Sequence, residues 1–306
     1  MADEPTTVAE APNAENTRLA LGPNAGPGAL RDIAREVGVA KPDPIVVADG
    51  LQRHFGGVMA VDVTHVEFQR GAITALIGPN GAGKTTFFNL LTCFDQPQHG
   101  VWSFNGRQLN GIAPFKVARS GMVRTFQLTK ALTKLTVIEN MRLGAKDQRG
   151  EHFLSALIKP LWGEQEDDVT ARADALLARF KLDHMREEYA ASLSGGQRKL
   201  LEMARALMAD PKLIMLDEPM AGVNPALKQS LLEHILVLKH EGRTVLFVEH
   251  DMDMVHDVSD WVIVMAEGRV IAEGSPDQIA TNTAVIDAYL GTHHGSELDG
   301  TQGGSS

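Results

Sequence analysis

With 306 residues and 43 % hydrophobic side chains, the chain can bury one large core or two small ones, which excludes disorder throughout. Twenty-nine basic against 39 acidic residues leave a formal charge of −10, and this argues against general affinity for nucleic acid or anionic lipid, because both are polyanions that reward basic surfaces. No run approaches the roughly 20 apolar residues of a membrane-spanning helix, and the single cysteine, Cys93, has no internal disulfide partner, so a reducing compartment is expected and Cys93 reads as inert core filler.

In chain order, residues 1–42 are rich in Ala, Pro, Gly, Asn and Glu and read as a tail that buries too little to order itself, with room for a short amphipathic helix at 29–37. The opening MADEPTTVAEAPNAEN has neither a basic start nor an apolar stretch of signal-peptide type, so a cytoplasmic chain is expected. Residues 43–292 read as one domain. In it, apolar and β-branched runs recur at 45–47, 73–77, 213–216, 244–248 and 261–265. Helical patterns separate them: Leu200, Met203, Ala204 and Leu207 share one face, as do Leu227, Leu231, Leu232, Ile235 and Leu238 before a capping Gly242. Buried strands alternating with helices predict an α/β fold with a mostly parallel sheet covered on both faces. Two stretches depart from this rule. Residues 66–69 and 101–105 look antiparallel and predict a β subdomain, and about 128–198 is largely helical and predicts an inserted α-helical subdomain. Residues 293–306, ending GTQGGSS, read as a second tail.

The predicted strand 73–77 runs into Gly78-Pro79-Asn80-Gly81-Ala82-Gly83-Lys84-Thr85-Thr86, with a helix opening at Lys84. Glycines let the backbone approach phosphate oxygens closely, and a helix N-terminus favours their charge. Lys84 is placed to neutralise β- and γ-phosphate oxygens and Thr85 to ligate Mg²⁺, which makes this a phosphate loop for a nucleoside triphosphate. Asp217 and Glu218 end another buried strand, where adjacent carboxylates are costly unless a cation or hydrogen bonds compensate. Mg²⁺ meets that need, with Asp217 reaching it through water and Glu218 polarising an attacking water as general base. Leu193-Ser194-Gly195-Gly196-Gln197 precedes a helix, and taken alone it is equally a plain turn.

Set between the phosphate loop and Leu216-Asp217-Glu218-Pro219, however, Leu193-Ser194-Gly195-Gly196-Gln197 resembles the signature of the ATP-binding cassette ATPases, and the resemblance spans about 45–291. It implies a RecA-like P-loop NTPase core with ATP and Mg²⁺ as ligands. It also implies that the signature acts in trans, with Ser194 and the backbone of Gly195 and Gly196 closing over the γ-phosphate held by a facing second cassette. His250 matches the switch histidine that contacts the γ-phosphate and steadies Glu218. Gln127, in Arg124-Thr125-Phe126-Gln127, matches the glutamine loop that touches Mg²⁺ or water. Phe55 stands where the family stacks an aromatic on adenine, with Val61 beside the base, and Asn224 falls at the dimer seam where many relatives carry Asp.

Smaller signs narrow the family. Arg124 to Gln127, Met220-Ala221-Gly222-Val223-Asn224-Pro225, Glu249-His250-Asp251-Met252, the segment 148–168 and the ending 285–291 resemble the ATPases of branched-chain amino-acid importers, a pattern that urea and amide importers share. The resemblance implies an ATPase subunit of a prokaryotic importer on the cytoplasmic face of the inner membrane. Its partners would be a similar but distinct second cassette rather than a copy of itself, two integral-membrane permeases and, indirectly, a solute-binding protein, with no nucleic acid. An exporter-type cassette of the lipopolysaccharide-extracting kind and a soluble non-transport cassette are the alternatives. Trp102 and Trp261 read as core. Trp162, beside the acidic 164–168 run, divides between packing on its own subdomain and docking a membrane subunit.

Overall fold

The computed structural model describes residues 22–34, 36–125, 133–146 and 163–294. The chain opens with two 12-residue strands, β1 (Pro44–Phe55) and β2 (Val58–Gln69), then β3 (Ile73–Ile77) and helix α1 (Lys84–Leu91). Next come β4 (His99–Phe104), β5 (Arg107–Gln108), α2 (Pro114–Arg119) and the short β6 (Met122–Arg124). The helices α3 (Val137–Arg142), α4 (Gly163–Arg179) and α5 (Gly195–Met208) precede β7 (Leu213–Asp217), α6 (Pro225–His240) and β8 (Thr244–Val248). The chain finishes with α7 (Met252–Val258), β9 (Trp261–Ala266), β10 (Arg269–Gly274), α8 (Pro276–Ala280) and α9 (Thr283–His294).

A six-stranded sheet of order β10-β9-β3-β8-β7-β6 is parallel from β9 to β6, with β10 antiparallel at one edge. Its central strands are buried at every position because both faces are covered. On one face Ile73, Ala75 and Ile77 of β3 join Val245 and Phe247 of β8 in a core with the helices; on the other, Leu76, Leu246 and Val248 pack with α1 and the antiparallel sheet. That second sheet has the order β2-β1-β4-β5. The run at 45–47 therefore belongs to the antiparallel sheet, not to the parallel core with which the sequence grouped it. Ile45, Val46 and Ala48 are buried, Val47 is partly buried, and full exposure begins at Asp49.

The expected helix at 29–37 is replaced by a 3₁₀ turn at Pro27–Leu30. Parts of the segment read as a tail make defined contacts. Leu30 is buried, the Gly26 amide donates to Arg70 O at 2.8 Å, and the Lys41 ammonium lies 2.7 Å from Glu273 Oε2 with both side chains almost fully buried. Glu273 also accepts from the amides of Gly38 and Val39 and from Trp261 Nε1, so one carboxylate ties the segment before β1 to β9 and β10. Trp102 and Trp261 are core residues as expected, and Cys93 is buried with its thiol pushed up to about 11 by desolvation, which suits an inert side chain. Among the described residues no helix is long and apolar enough to cross a membrane.

Candidate active site

Strands β3, β7 and β8 are neighbours and run parallel, so the loops after Ile77, Asp217 and Val248 leave the same edge of the sheet. In open α/β sheets that carboxyl edge is where ligands bind. The phosphate loop after β3 is shaped by two glycines that no other residue could replace without a shift. At Gly78 (φ 148°) a Cβ would lie 2.0 Å from Met265 O, and at Gly83 (φ 95°) it would lie 2.2 Å from Ala60 O. Gly83 is also the N-cap of α1 and supplies no side-chain acceptor to the first turn, leaving those amides to an external anion. The buried Lys84 turns back into the loop, donating to Gly78 O at 2.6 Å and Pro79 O at 2.9 Å. Desolvation lowers its pKa, opposed by the charges of Glu218 and Asp217. Thr85 is exposed and Thr86 half-buried at the mouth of the loop.

At the end of β7, Asp217 is buried and its Oδ2 accepts from Arg124 Nη2 at 2.5 Å, while its Oδ1 is buried with no partner. Glu218 has left-handed backbone, φ 46°, and its amide donates to Val248 O. That conformation costs a non-glycine residue about 1–2 kcal/mol and aims the carboxylate away from the sheet. Glu218 Oε1 lies 3.2 Å from His250 Nε2. The turn is held from two sides. Lys199 Nζ, from α5, donates to the carbonyls of Glu218 and Pro219 at 3.2 and 2.9 Å, and buried Glu249 accepts from the amides of Met220 and His250. Neither Lys199 nor Glu249 was singled out from sequence, since each acts through a partner on another element and carries no local signal.

Ser194 caps α5, its Oγ accepting from the Gln197 amide while Gln197 Oε1 accepts from the Ser194 amide. Leu193 anchors the turn in the core, and Ser194 and Gly195 are exposed. A Cβ on Gly195 would meet nothing within 4 Å, whereas one on Gly196 would lie 1.7 Å from Leu227 Cδ2. A cavity of about 360 Å³ opens between α5 and the end of β7, lined by Gly195, Lys199, Asp217 and Glu218, with no phosphate-loop residue in its wall. Exposed Asn224 caps α6 through Oδ1 and the Leu227 amide at 2.9 Å, a task that Asp performs equally well. Phe55 is 51 % exposed at the tip of the β1–β2 hairpin, with the Arg53 guanidinium 4.5 Å from its ring centre. Val61, expected beside the base, is fully buried in the β layer. Gln127 and Trp162 lie outside the described residues.

Residues 61–221 match the family described as "ABC transporter", and residues 269–295 match "Branched-chain amino acid ATP-binding cassette transporter". The chain belongs to the ABC transporter ATPases. The cassette is 41 % identical over 255 residues to a "probable branched-chain amino acid transport ATP-binding protein", LivG, of Archaeoglobus fulgidus, covering 83 % of this chain and 98 % of the relative. It is 39 % identical over 250 residues to the "high-affinity branched-chain amino acid transport ATP-binding protein" BraF of Pseudomonas aeruginosa, covering 81 % and 98 %. In structure it is similar to an ATP-binding cassette of an ABC transporter solved in its ADP conformation, with TM-score 0.71, 36 % identity, and 81 % and 99 % of the two chains covered. The cassette's chemistry is ATP hydrolysis, and its donors suit Mg²⁺. The bare Asp217 Oδ1 and the exposed Thr85 hydroxyl are hard oxygen donors of the kind Mg²⁺ takes, and no cluster of three His, Cys, Asp or Glu exists among the described residues to cage a metal unaided. An ion bound through few carboxylates and substrate phosphates fits that set.

Proposed function

We propose that this cassette drives the import of branched-chain amino acids or a related small polar solute such as urea, on the cytoplasmic face of the inner membrane. The observation that carries the reading is the meeting of Lys84, Asp217, Glu218 and His250 at one sheet edge. The names of its relatives and the match at 269–295 support the cargo class over an exporter or a soluble cassette.

The ATP phosphates enter the loop 78–86, and Lys84 Nζ exchanges its two carbonyl partners for β- and γ-phosphate oxygens. Thr85, Asp217 and Gln127 would hold Mg²⁺, which neutralises phosphate charge when bound. Glu218 takes the proton from the attacking water, and His250 fixes Oε1 so that the other carboxylate oxygen faces the water. Phe55 offers its exposed ring to adenine. Ser194 and Gly195, exposed at the head of α5, serve the γ-phosphate of a facing cassette, which is a similar but distinct subunit rather than a second copy. Two permeases complete the assembly, and a solute-binding protein delivers cargo to them. An apolar cavity of about 440 Å³ beside the exposed rings of Phe94 and Phe115, reaching Arg124, suits a permease segment.

Affinity purification of the tagged chain from membranes tests the reading. Multi-span permeases and a second cassette are the expected companions, with labelled leucine or urea taken up by vesicles holding the complex. Recovery with ribosomes or DNA overturns it.

A further inference from the structure

We propose that Arg124 is a positioning residue for the metal: it clamps one oxygen of Asp217 and ties it to the phosphate-loop helix, so that the other oxygen is presented to the Mg²⁺ that accompanies ATP. The proposal rests on the nucleotide-site reading above. Arg124 ends β6 and Asp217 ends the adjacent β7, so their side chains meet although 93 residues separate them. Its Nη2 lies 2.5 Å from Asp217 Oδ2 and its Nη1 lies 2.6 Å from Asn89 Oδ1, with the guanidinium carbon 5.5 Å from the centre of the Phe88 ring. Asn89 and Phe88 belong to α1, the helix whose first residues are Lys84 and Thr85. One planar cation therefore connects the strand that leads to the glutamine loop, the strand that bears Asp217 and the helix that receives the phosphates.

The way the guanidinium divides its donors matters. Arginine grips a carboxylate most strongly with two parallel N–H bonds. Here Nη1 goes to Asn89 and Nε is buried without a partner, so the grip on Asp217 is a single bond from Nη2 to Oδ2. Asp217 Oδ1 is left buried and without a partner, on a side chain 5 % exposed. A bare buried carboxylate oxygen is costly unless a ligand arrives. The surroundings give it a fixed direction, and its chemistry suits a hard cation. Arg124 could act in two opposite ways. As a rival cation it would hold the metal's place, and its removal would tighten metal binding. As a clamp it orients Oδ1, and its removal loosens metal binding. The free Oδ1 favours the clamp.

The experiment uses the full chain with Arg124→Met, Arg124→Lys and, as a milder perturbation that keeps the charge, Asn89→Ala. Mn²⁺ binding is read by electron paramagnetic resonance in the presence of a non-hydrolysable ATP analogue. Metal-free nucleotide affinity is read by titration with a fluorescent ATP analogue in chelator. Removing a residue that orients a metal ligand typically weakens metal affinity by about 10- to 100-fold. Arg124→Met should show that loss with metal-free nucleotide affinity unchanged. Arg124→Lys should recover part of it, since an ammonium reaches Oδ2 but cannot bridge to Asn89. Asn89→Ala should shift Mn²⁺ affinity in the same direction by less, and it decides the matter if the Arg124 variants do not fold. Unchanged or tighter Mn²⁺ binding, or a parallel loss of metal-free nucleotide affinity, overturns the proposal. If the unaltered chain binds no nucleotide, the nucleotide-site reading fails instead.

Discussion

Replacing Glu218 by glutamine removes one charge, keeps the side chain's size and separates the two duties assigned to this end of β7. The strained backbone at φ 46° is already carried by a residue with a Cβ, and the amide of residue 218 still donates to Val248 O, so stability should move by less than about 0.5 kcal/mol. The contact with His250 at 3.2 Å can be kept by an amide oxygen. What is lost is the base. General-base catalysis is worth about 10²- to 10⁴-fold, or roughly 3–5 kcal/mol of barrier, and turnover at saturating Mg·ATP should fall by that factor. Binding should not fall. Glu218 is the first of the charges that sustain the Lys84 ammonium against desolvation, and a triphosphate takes over that duty while being spared repulsion from the missing carboxylate. Phosphate-release kinetics, titration with a fluorescent ATP analogue and ATP-dependent dimerisation by light scattering measure the three consequences. Turnover near that of the unaltered protein would refute Glu218 as base, and loss of binding in step with turnover would refute the separation of duties.

Phe55→Ala should raise the apparent Kd for ATP by roughly 2- to 10-fold through loss of a stacking contact, with saturated turnover unchanged; equal binding by ATP and by triphosphate lacking the base would sink the adenine assignment. Lys41→Met leaves the Glu273 carboxylate buried without its cation and should cost about 3–5 kcal/mol in chemical denaturation, while Lys41→Met combined with Glu273→Gln, which removes the stranded charge and keeps an acceptor for the Gly38 and Val39 amides, should recover part of the loss. His234, half-buried and stacked on Phe180 with centroids 4.1 Å apart, has its pKa lowered to about 4 by burial and then by Arg179. The fold therefore favours neutral His234. Its contribution is complete above the unfolded pKa near 6.5 and is lost as pH falls toward 4, an effect of about 1–2 kcal/mol after allowance for solvent screening. His234→Phe should keep the stack and flatten denaturation midpoints between those two pH values.

The central strands and the motifs on them were legible because burial on both faces leaves Thr74 as the one polar side chain in 73–77 and because a phosphate loop demands glycine where a Cβ would strike Met265 O or Ala60 O. The same rule misled at 45–47. A strand can hold Ile45, Val46 and Ala48 buried and then emerge, and β1 does so at Asp49. β6 went unseen because three edge residues carry no period. In the site, residues that meet phosphate declared themselves through type and spacing. Those that hold the others in place did not. Lys199 acts on carbonyls of another element, and Arg124, quoted only as part of a string, acquires its partners from α1 and β7 through the fold.

Two residues expected to work across a dimer, Ser194 and Asn224, are each already engaged as helix caps in their own chain. These duties are compatible, and the first prepares the second. Ser194 Oγ accepts from the Gln197 amide, so its lone pair is occupied and its own proton remains to be donated, which is the polarity a phosphate oxygen requires. A side chain at Gly196 would meet Leu227 Cδ2, whereas one at Gly195 would meet nothing within 4 Å, so the turn packs closely on its inner side and is open on its outer one. Asn224 commits Oδ1 to the Leu227 amide and keeps its NH₂ for the seam. An aspartate in that place would cap equally well but offer the seam an acceptor. The departure at Asn224 thus leaves the fold indifferent and changes only the hydrogen-bonding groups that this exposed position offers.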